Sequence, residues 1–504
     1  MKYTIFSEKA KAHKKPLHHK TVVPVSYVHF EEDKLAFQKV RAVKDAKCNL
    51  PILLNAGDSV TLDFGEHCVG YLHYTVNHTY TITDSPLRLK FTFGEMPLEL
   101  TVPSDEYHGI LGDGWLQNEV KTSVFLPCAV QLERRYAFRY VRIERIDNAT
   151  KYPVEIQQLY CDCVSSVSRE SAAEFAISDP FLKRIYDISL DTLCSCEQDV
   201  FEDGPKRDRR LWIGDLRLQA LTDYVSFKNI DLIKRCIYLF AGYRIDGAVA
   251  PYVFPDSPPY VDGWVFDDYS LFFISCIYDY MENCGDLELP AELYDIALQQ
   301  AQIIGAKIET MKVTPFIDWC DGLDKSVAII GVYIYTLRQL YAIAKKLQKD
   351  ATWIKAEIDK AEMALRGFYS EKEGLFVTES NQISWHSQVW AVLSGVLTKD
   401  ENVKVLENIE TSKTAFTMRT PYMMHYYLEA LYSCNLKKKA LDFLKGYWGK
   451  IVACGFDRCP EIFNPDNQFE SPYNAPEINS ACHAWSCTPV YWLHMLDAEN
   501  TDKE

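Results

Sequence analysis

From about Ser178 onward the chain keeps returning to one pattern. A dozen segments, each long enough for several helical turns, carry apolar residues at 3.6-residue spacing. The spacing predicts helices over 179–197, 214–227, 229–242, 266–283, 289–310, 325–347, 352–369, 384–396, 399–410, 421–434, 436–449 and 479–496. Ser178-Asp179-Pro180 announces the first, with a serine cap followed by an acid and a proline in the first turn. No fixed short period runs through the set, which argues against a solenoid. Twelve unrepeated helices in one domain point to a toroid of six helical hairpins, an (α/α)6 barrel. An irregular helical domain is the alternative. In a barrel of this kind a site is expected in the loops at one end.

The chain before this point has another texture. Thr21–Val28, Ser59–Phe64, Tyr71–Val76 and Tyr140–Ile146 run in β-branched and aromatic residues, and Leu87–Phe93 alternates strictly. Gly, Pro, Asn and Asp punctuate the gaps. The expected architecture is therefore an N-terminal antiparallel β-sandwich over 1–165, followed by an all-α (α/α)6-barrel domain over 166–504.

The formal charge of −16, from 54 basic and 70 acidic residues, argues against nucleic acid or an anionic membrane as partner. The first residues contain no apolar run suited to a signal peptide, and no uninterrupted apolar stretch reaches bilayer length, so the expected location is cytoplasmic. The 16 cysteines are scattered, and are expected as reduced thiols. Cys161-x-Cys163 and Cys194-x-Cys196 lack the Cys-x2-Cys spacing of a zinc knuckle, so core filling is expected, with no metal and no cofactor. The oligomeric state is open, a homo-oligomer included. Aromatic residues make up 13% of the chain. Most must serve the core, but the excess suits a carbohydrate site, where rings stack on the apolar face of a sugar.

One loop concentrates the chemistry. Asp203-Gly204-Pro205-Lys206-Arg207-Asp208-Arg209-Arg210-Leu211-Trp212-Ile213-Gly214-Asp215 sets three acids among four bases, with a tryptophan beside them. Taken alone, such a loop is more readily explained by internal ion pairs. Other inter-helix loops carry the same residue types: Pro255–Trp264, Asp318–Gly322, and the long 454–479 stretch with Cys459-Pro460-Glu461 and Ser471-Pro472-Tyr473-Asn474. Glycoside hydrolysis needs two carboxylic groups flanking the bond, and in an inverting enzyme they stand ~6.5–9.5 Å apart with water between them. Asp208 and Glu461, far apart in sequence, suit such a pair.

The 203–215 segment resembles the Asp-Cys-Pro-x-Arg-Glu-x-x-Gly-Trp-x-x-Asp loop of glycoside hydrolase family 78, the α-L-rhamnosidases. Asp318-Trp319 is similar to that family's Asp-Trp-Leu segment. Thr420-Pro421-Tyr422, followed by Glu429-Ala430-Leu431, is similar to one of its helices. Cys459-Pro460-Glu461 falls at its Thr-x-Trp-Glu segment, and Asn479 to Trp485 resembles its histidine motif. The resemblance covers roughly 178–496 in order, and it implies the six-hairpin fold and hydrolysis of rhamnosides. It implies Asp208 as general acid, where the family usually has glutamate, and Glu461 as general base. Asp203, Arg207 and Asp215 would hold hydroxyls, Trp212 and Trp319 would enclose the deoxysugar, and His483 would touch it. Gly204 replaces the family's cysteine, and Pro460 its tryptophan. Trp264, Asp262, Trp385, His386, Trp485 and Glu477 are weaker candidates. Three other readings stay open: another sugar on the same fold, a non-catalytic sugar-binding protein, and a polysaccharide lyase.

Overall fold

The computed structural model describes residues 4–79, 84–255 and 258–497. Among these, the first third holds ten strands in one antiparallel network: β1 (His18–Val22), β2 (Ser26–Glu32), β3 (Val40–Lys47), β4 (Ile52–Leu54), β5 (Ser59–His78), β6 (Leu87–Gly94), β7 (Asn118–Ser123), β8 (Cys128–Gln131), β9 (Tyr136–Arg145) and β10 (Val154–Ser165). The strand β5 organises them. Its first half pairs with β9 and β2, and its second with β10 and β8. The sequence pattern splits β5 into two strands. In the structure it bends without ending, because the register slips between Asp63 and Cys68, where Gly65 takes φ 78°. The single strand expected over 21–28 is instead two. Val22 closes β1 and Ser26 opens β2, and between them Pro24 has no N–H to give a ladder. Alternation does the rest: Leu87, Leu89, Phe91 and Phe93 of β6 all enter the core of this domain.

The helices are α1 (Thr4–Ala12), α2 (Pro180–Cys196), α3 (Ile213–Val225), α4 (Ile230–Gly242), α5 (Asp267–Cys284), α6 (Glu288–Ile308), α7 (Ser326–Lys346), α8 (Thr352–Arg366), α9 (Trp385–Ser394), α10 (Lys399–Thr411), α11 (Pro421–Ser433), α12 (Lys437–Ala453) and α13 (Pro489–Asp497). Helices α3, α5, α7, α9 and α11 pack in succession as an inner ring, and α13 returns to touch α3 and α2. The alternate helices lie outside, and α12 closes on α2. This is the six-hairpin toroid. Helix α7 is long and apolar enough to cross a membrane, with a mean hydropathy of 1.5, yet 78% of that window is buried between its neighbours in the ring. Helix α1 carries no sequence expectation. It docks on the helical domain, where Arg235 Nη1 donates to the Ala10 carbonyl at 2.8 Å and Lys9 pairs with Glu292 at 2.5 Å.

Two helix starts differ from the pattern. Asp179, not Ser178, caps α2, accepting from the Phe181 and Leu182 amides at 2.9 and 3.3 Å. The last helix starts at Pro489 rather than at 479. Between these points the backbone bonds elsewhere. Glu461 N donates to Ser480 O (3.0 Å), His483 N to Cys459 O (2.8 Å) and Ala484 N to Asp203 O (3.0 Å). This loop is thereby tied to both acid-bearing segments.

Candidate active site

The 203–215 loop is closed at its neck. Asp203 N donates to Arg210 O at 3.1 Å, and Arg210 N donates back to Asp203 Oδ1 at 3.0 Å. Within it Asp208 and Arg209 take left-handed backbone angles, φ 62° and 51°. Such residues cost of order 1–3 kcal/mol each and persist only where the surroundings hold them. Here the Arg209 side chain does so, its Nε donating to Pro205 O at 2.8 Å and its Nη2 to Arg135 O in the β domain. Leu211 and Trp212 then pair with Val253 and Tyr252, and α3 begins at once, with Asp215 in its first turn. Gly204 is required by packing: a Cβ there would stand 2.8 Å from Ser480 Oγ and 3.2 Å from Cys482 O. A side chain would push the 480–483 segment away.

Arg207 is the hub. Its Nη2 donates to Glu461 Oε2, its Nη1 lies 3.3 Å from Asp208 Oδ1, and its Nε donates to Ile478 O at 3.2 Å. Its guanidinium lies 4.1 Å from the centre of the Tyr473 ring. The Tyr473 hydroxyl donates to Glu461 Oε1 at 2.6 Å, so both oxygens of Glu461 act as acceptors. Asp208 and Glu461 thus meet on one guanidinium. They differ in access: the Asp208 side chain is 20% exposed and that of Glu461 only 4%.

A cavity of about 100 Å³ opens over this pair. Asp203, Arg207, Asp208, Asp215, Glu461, Tyr473 and His483 form its polar side, and Trp212, Trp264, Phe266, Tyr269, Phe316, Trp319 and Trp485 its aromatic wall. All eight main candidates from the sequence line it. So do Trp264 and Trp485. Asp262 lies behind, accepting from the Tyr252 hydroxyl at 2.5 Å, and Trp385 packs on Tyr427. Glu477 contributes its carbonyl, which accepts from Lys206. Asp256 and Ser257 of the Pro255–Trp264 loop lie outside the described residues. A larger cavity, about 570 Å³, lies between the domains, but neither acid nor any tryptophan reaches it. Volume therefore does not mark the site here; convergent chemistry does.

Asp215 Oδ1 and His483 Nδ1 are 3.7 Å apart, buried, and without a hydrogen-bond partner among the described residues, so both are open to a ligand's hydroxyls. Burial pushes the Asp203 and Asp215 carboxyls well above the usual carboxylate range. The Asp208 charge adds to this at Asp203, and the Glu461 charge at Asp215. Burial, reinforced by Arg207, holds His483 well below its ordinary value, so its ring is neutral. Two buried carboxyls and an imidazole with an open ring nitrogen give a polyhydroxylated ligand several hydrogen-bond partners at once.

Trp319 is aimed by a buried knot. Asp318 accepts from Trp319 N (2.8 Å), Thr420 Oγ1 (2.6 Å) and Arg419 N (2.9 Å), and meets His386 Nε2 at 2.8 Å. Ile317, β-branched at φ 57°, is held in that unusual conformation as the Asp268 carboxylate accepts from the amides of Phe316 and Ile317, both at 2.8 Å. His386 therefore belongs to the support of Trp319 and does not line the cavity.

Sequence reasoning missed three parts. Tyr473 figured only as part of a long loop with no role of its own, Phe266, Tyr269 and Phe316 drew no expectation as site residues, and the β domain's share left no local signal. Glu99 pairs with Lys206 at 2.7 Å, both side chains being buried, while Lys206 also donates to Glu477 O and Asn479 O at 2.9 Å. Glu95 Oε2 accepts from Ala481 N at 2.7 Å, and its Oε1 meets His67 Nε2 at 2.8 Å. The β domain therefore grips the segment that carries His483 and bonds to Glu461.

Family models and solved structures agree over most of the chain. Residues 24–163 match the glycosyl hydrolase family 78 alpha-rhamnosidase N-terminal domain, and residues 170–496 the bacterial alpha-L-rhamnosidase six-hairpin glycosidase domain. A rhamnosidase from Klebsiella oxytoca, solved with rhamnose bound, is 36% identical, with 98% of this chain and 99% of that one covered and a TM-score of 0.94. A family 78 rhamnosidase of Bacillus sp. GL1 is 18% identical (TM-score 0.74; 90% of this chain, 49% of that one). A Streptomyces avermitilis α-L-rhamnosidase complexed with L-rhamnose is 16% identical (TM-score 0.62; 95% of this chain, 44% of that one). These two share the fold. No curated protein matches.

Proposed function

The chain belongs to glycoside hydrolase family 78, and on that premise we propose that it releases terminal α-L-rhamnose from small glycosides or oligosaccharides with inversion at the anomeric carbon. The observation that carries this reading is the meeting of Asp208 and Glu461 on the Arg207 guanidinium, at the floor of one aromatic-walled cavity. The rhamnose bound in the 36%-identical Klebsiella protein supports the choice of sugar.

In this mechanism Asp208, the more accessible acid, protonates the glycosidic oxygen as its bond to the anomeric carbon breaks. Glu461 takes a proton from the water that attacks the opposite face. Arg207 spans the two and keeps the Glu461 carboxylate oriented, and Tyr473 holds its other oxygen. Asp203, Asp215 and His483 bind hydroxyls. Trp212 and Trp319 close over the apolar face and the methyl group, where ring stacking suits a deoxysugar. A small cavity walled by aromatic rings suits one terminal sugar rather than the interior of a chain.

The test is turnover of 4-nitrophenyl α-L-rhamnoside by the wild type, Asp208→Asn and Glu461→Gln. Turnover by the wild type, with both variants reduced at least a thousandfold, is the expected result. Turnover of other aryl glycosides but not of the rhamnoside would overturn the sugar and leave the site standing. Sugar binding without turnover of any glycoside would overturn the enzyme.

A further inference from the structure

Cys161 and Cys163 sit two residues apart on β10, on one face of the sheet. Their partners on β5 are Leu72 and Gly70, and Cys68 lies two residues before Gly70 on that strand. The three sulfurs converge: every pair lies within 4.8 Å, and Cys161 and Cys163 are 3.6 Å apart. Three sulfurs bound to one ion at about 2.3 Å would stand roughly 3.8–4.0 Å from one another. The trio needs only small side-chain adjustments to reach that spacing.

Two further observations separate this cluster from ordinary thiol packing. Cys163 lines the 570 Å³ interdomain cavity, which gives an ion a path in from solvent. His67 lines the same cavity; its Nε2 is held by Glu95, while its Nδ1 is buried with no hydrogen-bond partner among the described residues. A carboxylate that fixes one ring nitrogen and leaves the other open is the usual support of a ligating histidine. The same cavity is thus lined both by an unused nitrogen donor and by one of the three thiols.

We propose that Cys68, Cys161 and Cys163 form a binding site for a thiophilic d10 cation, apart from the glycosidase centre. Soft sulfur donors select ions of this class over magnesium or calcium. Each thiol gives up its proton to solvent as its sulfur binds, so affinity rises with pH. No redox step is involved. The occupied site would pin β5 to β10 at the domain boundary.

The experiment titrates the fully reduced, full-length protein with Cd2+ alone and follows thiolate-to-cadmium charge transfer by difference absorption. The expected result is a band that saturates at one equivalent, together with a rise in Tm that a chelator reverses. Cys163→Ser and Cys161→Ser should weaken binding at least tenfold, while Cys454→Ser, half-buried at the end of α12, should leave it unchanged. Cys68 is fully buried, so if Cys68→Ser fails to fold, the half-buried Cys163→Ser carries the test, with circular dichroism confirming its fold. The absence of a saturable band, or a band that persists undiminished in Cys163→Ser and Cys161→Ser, would overturn the site. Neither result depends on which sugar the enzyme cleaves.

Discussion

Replacing Tyr473 by phenylalanine removes one oxygen and leaves the ring. In the structure that oxygen donates to Glu461 Oε1 at 2.6 Å, while the ring carries Arg207 at 4.1 Å and meets Trp319 edge-on at 5.9 Å. A hydrogen bond to a charged group is worth about 1.5–3 kcal/mol, and all of it bears on how the proposed base is held. If the loss falls wholly on the transition state, kcat drops by roughly 10- to 150-fold, since each 1.36 kcal/mol is tenfold in rate. KM should move by less than about threefold, because the cavity walls and the cation–π contact remain. Tm should change little for the same reason. Tyr473→Leu loses the ring as well, and should lower both kcat and Tm. The assay is steady-state turnover of the aryl rhamnoside beside thermal unfolding for the three proteins. A Phe variant with wild-type kcat, or one whose loss lies entirely in KM, would refute the role given to this hydroxyl.

Other consequences follow from the support structure. Burial pushes both Glu95 and Glu99 up to about 7, so folding favours their protonated forms. Their stabilisation is full below the unfolded value near 4.5 and is lost as pH rises through about 7. Unfolding curves from pH 4.5 to 8 should therefore fall more steeply for the wild type than for Glu95→Gln or Glu99→Gln. Asp318→Asn removes the carboxylate that meets His386 Nε2 and accepts from Trp319 N, and should cost about 1.5–3 kcal/mol in a denaturant melt, with a raised KM as Trp319 loses its aim. Gly204→Ala forces a Cβ to 2.8 Å from Ser480 Oγ and should cost about 1–3 kcal/mol, and Ser480→Ala in the same chain should recover most of it.

Much of this molecule was legible because its signals are local. Periodicity located α2 to α12 because each helix must bury one face whatever its partners. The acid-bearing loops were legible through motif order, and the structure brings Asp203, Arg207, Asp208, Trp212, Asp215, Trp319, Glu461 and His483 to one cavity. What was illegible depends on distant partners. The 479–488 stretch has the apolar content of a helix, but its amides and carbonyls bond to Glu461, Asp203, Cys459 and Glu95 instead. The Glu99–Lys206 pair joins residues more than a hundred positions apart, and neither flanking sequence announces the other. Tyr473 acquires its role only when its loop folds back over Arg207. The unity of β5 was hidden because Gly65 looks like a turn and serves as a bend.

The central claim is that Asp208 and Glu461 act on opposite faces of one rhamnose. The most direct test is a 1H NMR time course of the wild-type protein with 4-nitrophenyl α-L-rhamnoside, following the anomeric proton of the first sugar released. This account predicts β-L-rhamnose first, with the α anomer growing in only as the sugar mutarotates. Initial release of α-L-rhamnose would contradict it, and would require one carboxylate to attack the sugar directly.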